Sequence, residues 1–62
     1  MNGESVREAR EKLGLSQTEF GKRLGMSRRS IARYEKKDRV TPEPLRLAIL
    51  RILDEHHREK HK

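Results

Sequence analysis

The sequence predicts an all-α fold: a compact four-helix bundle, ending in a long C-terminal helix. Three observations carry this. Apolar residues recur at the spacing of an amphipathic helix rather than at the alternation of a half-buried strand. Start and stop signals punctuate the chain at short intervals, with Ser or Thr before the apolar stretches and Gly after them. The 62 residues include no Cys, so neither disulfides nor a Cys-ligated zinc can substitute for a hydrophobic core.

The first helix is predicted from about Ser5, because Val6, Ala9 and Leu13 fall at i, i+3 and i+7 with Arg10 on the same face, and Gly14 stops it. Ser16-Gln-Thr-Glu19 has the form of a capping box, in which the Ser16 hydroxyl and the Glu19 carboxylate satisfy each other's free backbone N–H groups. Phe20 and Leu24 then face inward, and Gly25 ends this short second helix in a left-handed backbone. Ser27 is the next N-cap, and Ile31 with Tyr34 forms the inward stripe of a third helix predicted to run to about Lys36. A Gly-containing turn this short makes two helices meet at a steep angle.

After the polar connection Lys37 to Val40, Thr41 is predicted to cap a fourth helix. Pro42 suits its first position, and Pro44 lies in the first turn, where a missing N–H costs nothing. Leu45, Ala48, Ile49, Ile52 and Leu53 form its inward face, with fraying expected beyond Glu55. The expected organisation is one domain over residues 1–55 and a polar tail over 56–62.

A domain of this size buries only about 60% of the surface its unfolded chain exposes, which allows one small core and disfavours a catalytic cleft. No apolar run reaches half of the roughly 20 residues that cross a bilayer. The start, Met-Asn-Gly-Glu, lacks the basic stretch and apolar core of a secretory signal, so a cytoplasmic protein is expected. No cofactor, small-molecule ligand or membrane partner is expected, and the length leaves no room for a ligand-sensing domain.

The charge is focal. Residues 1–16 balance to zero, and residues 40–62 hold five basic against four acidic side chains. The segment 17–39 carries +5 of the total +6. Such a segment in an otherwise balanced protein is the footprint expected for a phosphate backbone, where neutralised charges release counterions. Charge alone does not separate this from a solvated basic face.

Small and apolar residues within about 17–36 sit where a helix-turn-helix needs them. Gly21 lies mid-helix, where a larger side chain would hold two helices apart; Gly25 makes the turn; Leu24, Ile31 and Tyr34 lock the angle. These positions are coupled, so their joint occurrence is specific. Leu13-Gly-Leu-Ser-Gln-Thr-Glu-Phe-Gly-Lys-Arg-Leu-Gly25, followed by Ser27-Arg-Arg-Ser-Ile-Ala-Arg-Tyr-Glu-Lys36, resembles the helix-turn-helix family of the phage Cro and cI repressors, the XRE family. The resemblance covers about residues 5–50.

It implies a lambda-repressor-like bundle of four or five helices that binds palindromic operator DNA as a two-fold homodimer, with the third helix in the major groove. By position, Arg28, Arg29 and Arg33 match the residues that read base edges, often Gln or Ser in relatives. Arginine suits the task, since its fork bonds both O6 and N7 of guanine, so a half-site containing guanine is expected. Gln17, with Ser27 and Ser30 nearby, matches a phosphate contact at the start of the second helix. Lys36, Lys37 and Arg39 match a loop laid along the backbone, and Arg10 with Glu35 a partly buried structural ion pair. Spacing alone places Arg28 and Arg29 in the first turn of the third helix and Arg33 four residues beyond Arg29 on the same face. Lys22 and Arg23 either touch DNA or form an exposed helix surface.

The implied function is a sequence-specific, double-stranded DNA-binding transcriptional regulator, a small repressor or autorepressor in the nucleoid of a bacterial or phage-infected cell. The alternative is an antitoxin-like interaction module that masks a partner through the fourth helix. That helix departs from the family pattern by running without an internal stop. Leu47 and Leu50 lie off its inward stripe, and either close the core from another side or, with Arg51 and Asp54, form a dimer interface, the reading favoured here. His56, His57 and His61 lack a third ligand at a fixed distance and are not read as a metal site. Tyr34 is read as core rather than as a stacking platform. Ser16, Asp54 and His56 do not make a triad, and no enzyme is predicted.

Overall fold

The computed structural model describes residues 1–60. They form four helices: α1 (Gly3–Leu13), α2 (Gln17–Leu24), α3 (Arg28–Tyr34) and α4 (Glu43–Lys60). No fifth helix is present among the described residues, and the nearest thing to a strand is one isolated antiparallel bridge between Asn2 and Val40.

Helix α1 begins ahead of Ser5 because Asn2 is its cap: the Asn2 Oδ1 accepts the Ser5 N–H at 3.0 Å and the Ser5 hydroxyl at 3.2 Å. Its end follows from Gly14 at φ 68, whose N–H reaches the Glu11 carbonyl at 3.0 Å while the Leu15 N–H reaches the Arg10 carbonyl at 3.3 Å. The same paired closure recurs at Gly25, where the Met26 N–H bonds the Gly21 carbonyl at 2.7 Å. Between these stops lies the capping box, with Ser16 and Glu19 exchanging two bonds of 3.1 Å.

Closing α2 in this way folds the turn back onto the middle of the helix. A Cβ at position 21 would stand 2.4 Å from the Met26 carbonyl oxygen and 3.4 Å from Ile31 Cγ1. Gly21 therefore sets the approach of α3, which starts with Ser27 capping the Ser30 N–H at 3.2 Å. Helix α3 ends at Tyr34, short of Lys36: the Lys36 N–H turns to the Arg33 carbonyl at 3.4 Å, and the Arg39 N–H then takes the Lys36 carbonyl at 3.0 Å.

The expected cap of α4 is corrected. Thr41 is buried and its hydroxyl has no hydrogen-bond partner among the described residues, while the Pro42 carbonyl accepts the first helical bond from the Arg46 N–H at 2.9 Å. A cap at Thr41 would have put Pro44 at the third helical position, which has no N–H to give. Pro42 thus precedes the helix, and Glu43 opens it, paired with Arg46. The helix passes Glu55 and runs to Lys60, with Arg51–Glu55 and Asp54–Arg58 ion pairs spaced i,i+4 along it.

Val6, Ala9, Phe20, Ile31, Leu45 and Ile49 form the core, so each helix contributes at least one buried apolar residue. Leu13, Leu15, Leu24, Met26, Tyr34 and Leu53 close its margins. Helices α2 and α3 pack on one another, and α4 lies across α1 and α2. This arrangement leaves the outer face of α3 free.

Candidate nucleic-acid interface

Ile31 is buried and Tyr34 half-buried, which fixes the roll of α3. Helical geometry then sends Arg28, Arg29, Ala32 and Arg33 outward, and all four are exposed. Arg29, Ala32, Arg33 and Lys36 line one shallow depression. Such a concave cationic strip on a convex helix suits an anionic ridge or the floor of a groove.

Among the described residues, the arginines of α1 and α4 are each paired with a carboxylate, and those of α2 and α3 are not. Arg7 pairs with Glu11 at 2.9 Å, Arg10 with Glu35, Arg46 with Glu43, Arg51 with Glu55 and Arg58 with Asp54. Among the described residues, Arg28, Arg29 and Arg33 have no carboxylate partner. Elsewhere, pairing also moves ionisation: hydrogen bonding to Glu11 raises Arg7 above its ordinary value, and the Arg46 hydrogen bond lowers Glu43 below its own.

Behind α3, Arg10 and Glu35 tie its C-terminal end to α1. The contact is bidentate, Nε to Oε2 at 2.7 Å and Nη2 to Oε1 at 3.2 Å, and the third arm of Arg10 donates to the Leu15 carbonyl at 3.0 Å. With side chains 18% and 6% exposed, the pair has lost most of its water, so its role is to fix the orientation of α3 more than to add net stability.

The residues predicted to hold phosphates are dispersed around this helix. Gln17 is half-buried, and its side-chain amide donates to Glu35 Oε1 at 3.4 Å, so as it stands the side chain serves the internal network. The Ser27 hydroxyl donates to the Ser30 hydroxyl at 3.1 Å, which joins both to the start of α3. Lys36 and Lys37 are exposed, and Arg39 lies with its guanidinium 5.8 Å from the centre of the Tyr34 ring. Tyr34 is therefore both core margin and platform, a cation–π contact that only the fold brings together. Lys22 and Arg23 are exposed on α2, and Arg23 also borders a cleft with Arg51 and Glu55 of α4.

Leu47 and Leu50 are 54% and 42% exposed on the outer side of α4, so they do not close the core. Their neighbours Arg51 and Asp54 each pair within α4. His56 and His57 border a cleft with Lys12 and Leu53, and His61 lies outside the described residues.

Two helices meeting across a glycine turn, the second with an exposed and unpaired cationic face, define a helix-turn-helix DNA-binding domain. Comparison with known proteins agrees with that class. A family model described as Helix-turn-helix matches residues 6–59, and the chain belongs to this family, in its XRE branch.

The chain is 42% identical over 55 residues to a protein of Pyrococcus furiosus and 38% identical over 55 residues to one of Thermococcus kodakarensis. Each match covers 89% of this chain, but only 18% and 17% of the respective relative. A protein of Archaeoglobus fulgidus is 51% identical over 35 residues, covering 56% of this chain and 11% of the relative. All three are named, provisionally, as HTH-type transcriptional regulatory proteins. The chain thus spans less than a fifth of the length of these relatives. No solved structure matches it. No helix among the described residues is long and apolar enough to cross a membrane.

Proposed function

We propose that this domain reads a specific double-stranded operator by laying α3 in the major groove, and that it represses transcription by occupying that site as a homodimer. The observation that carries the reading is the set of Arg28, Arg29 and Arg33, exposed on one helix and without a carboxylate partner among the described residues, in a chain whose α1 and α4 arginines are paired. A guanidinium kept free of internal carboxylates keeps its bidentate fork for guanine. Lys36, Lys37 and Arg39, just beyond α3, hold the flanking phosphates in this reading, and the open N–H groups at the start of α2 hold another. The exposed Leu47 and Leu50 supply the second-copy contact, because one helix-turn-helix covers only a half-site.

Selection of bound sequences from a random duplex library tests the reading. The expected consensus contains guanine and two half-sites related by two-fold symmetry, about 34 Å apart. Binding without a consensus that vanishes uniformly by about 200 mM salt would instead mean a non-specific coat. The dimer is tested by Leu50→Glu, for which we expect a folded monomer with weakened operator binding in sedimentation and gel-shift measurements. Global unfolding of that variant would return Leu50 to a structural role.

A further inference from the structure

The first three residues do more than start α1. The Met1 carbonyl accepts the Thr41 N–H at 3.1 Å, Asn2 bridges to Val40, and Gly3 lies directly on the Lys36 backbone, where a Cβ would fall 1.7 Å from the Lys36 carbonyl oxygen. That same carbonyl accepts the Arg39 N–H at 3.0 Å and so closes the turn that displays Lys36, Lys37 and Arg39. On its other side the turn is held by Arg39 over the Tyr34 ring.

Resting on the DNA-binding reading above, we propose that Met1–Gly3 is a positioning strap for the basic turn Lys36–Arg39, and that it sets how many backbone phosphates this domain engages. A turn of exposed lysines and arginines loses side-chain and backbone freedom on meeting a phosphate, and a turn already fixed by backbone hydrogen bonds has less to lose. The strap meets the backbone at Glu35, Lys36, Val40 and Thr41, none of which lies on the Arg28, Arg29 and Arg33 face of α3. Met1, Asn2, Gly3 and Thr41 are therefore positioning residues, and they act on affinity without acting on sequence preference.

The test compares the parent chain with Gly3→Ala, which drives the strap off the Lys36 carbonyl, and with Thr41→Pro, which deletes the donor to Met1. Thr41→Val keeps that donor and is the conservative control. Salt titrations of binding to the selected operator and to a random duplex are the main readout, and amide hydrogen exchange at Arg39 and Thr41 is the second.

We expect both strap variants to lose about tenfold on either duplex alike and to show a log K against log salt slope shallower by about one to two, the signature of lost phosphate contacts. The base preference should not change, exchange at Arg39 should quicken in both variants and at Thr41 in Gly3→Ala, and Thr41→Val should match the parent. Folded variants with the parent's salt slope would overturn the proposal. Failure of both to fold would also overturn it, since the strap would then be part of the fold itself. A parent that binds no duplex DNA would remove the DNA reading and this one with it. A parent that binds while its variants bind equally well removes this one alone.

Discussion

Two groups of arginine in the same small bundle obey different rules. On α1 and α4, Arg7, Arg46, Arg51 and Arg58 lie within a helical turn of a carboxylate on their own helix, and Arg10 reaches across to Glu35. On α3, Arg28, Arg29 and Arg33 stand together with no acidic residue in the helix to meet them. Like charges at this spacing repel, at a cost of a few tenths of a kcal/mol per pair by the usual scale of helix-surface interactions. Charge on α1 and α4 is therefore balanced within the protein, whereas the charge on α3 is not.

The largest expected effect comes from moving an arginine from the first group to the second. Glu35→Ala strands the half-buried Arg10, and we expect thermal melts to show a loss of about 3 to 5 kcal/mol, because an uncompensated cation remains largely out of water. An unmoved melting temperature would mean that water solvates the pair. Gly21→Ala comes next: its Cβ meets the Met26 carbonyl, and relief of that overlap shifts α3 at a cost of about 1 to 3 kcal/mol in the melt.

Arg29→Ala reverses the comparison, since it leaves stability untouched while costing about 1 to 3 kcal/mol of operator binding and relaxing preference at one base pair. Lys36→Ala should weaken every sequence alike, and equal losses on operator and random DNA for Arg29→Ala would place Arg29 with Lys36 as a phosphate contact.

The smallest effect is a pH dependence. The Ser16 backbone N–H holds the Glu19 carboxyl below its ordinary value, so the capping box contributes fully above the ordinary carboxylate range and fades as the pH falls through the lowered folded-state value. Glu19→Gln, which still accepts the bond but does not titrate, should flatten the acid limb of a stability-against-pH curve.

Much of this arrangement was legible because it is local. The capping box, the stop at Gly14, the left-handed Gly25 and the inward positions Val6, Phe20, Ile31 and Ile49 each follow from residues within two turns of one another. Where the local signals erred, a neighbouring backbone was responsible. Thr41 has the chemistry of a cap, but Pro44 removes the third-position donor, and the Thr41 N–H is taken by the Met1 carbonyl. Helix α3 stops at Tyr34, where the following turn closes on the Lys36 carbonyl that packs against Gly3. The 3.4 Å contact of the Gln17 amide with Glu35 also spans elements, and no local signal marks it.

The set of helices, their inward stripes and the concentration of positive charge in residues 17–39 are already written in the order of residues, because these depend on spacing along one chain and on short-range hydrogen bonding. The closed fold alone pairs Arg10 with Glu35 and sets the first residues against the turn after α3. Those facts join groups far apart in sequence, and no periodicity encodes a distance that exists only once the core has closed.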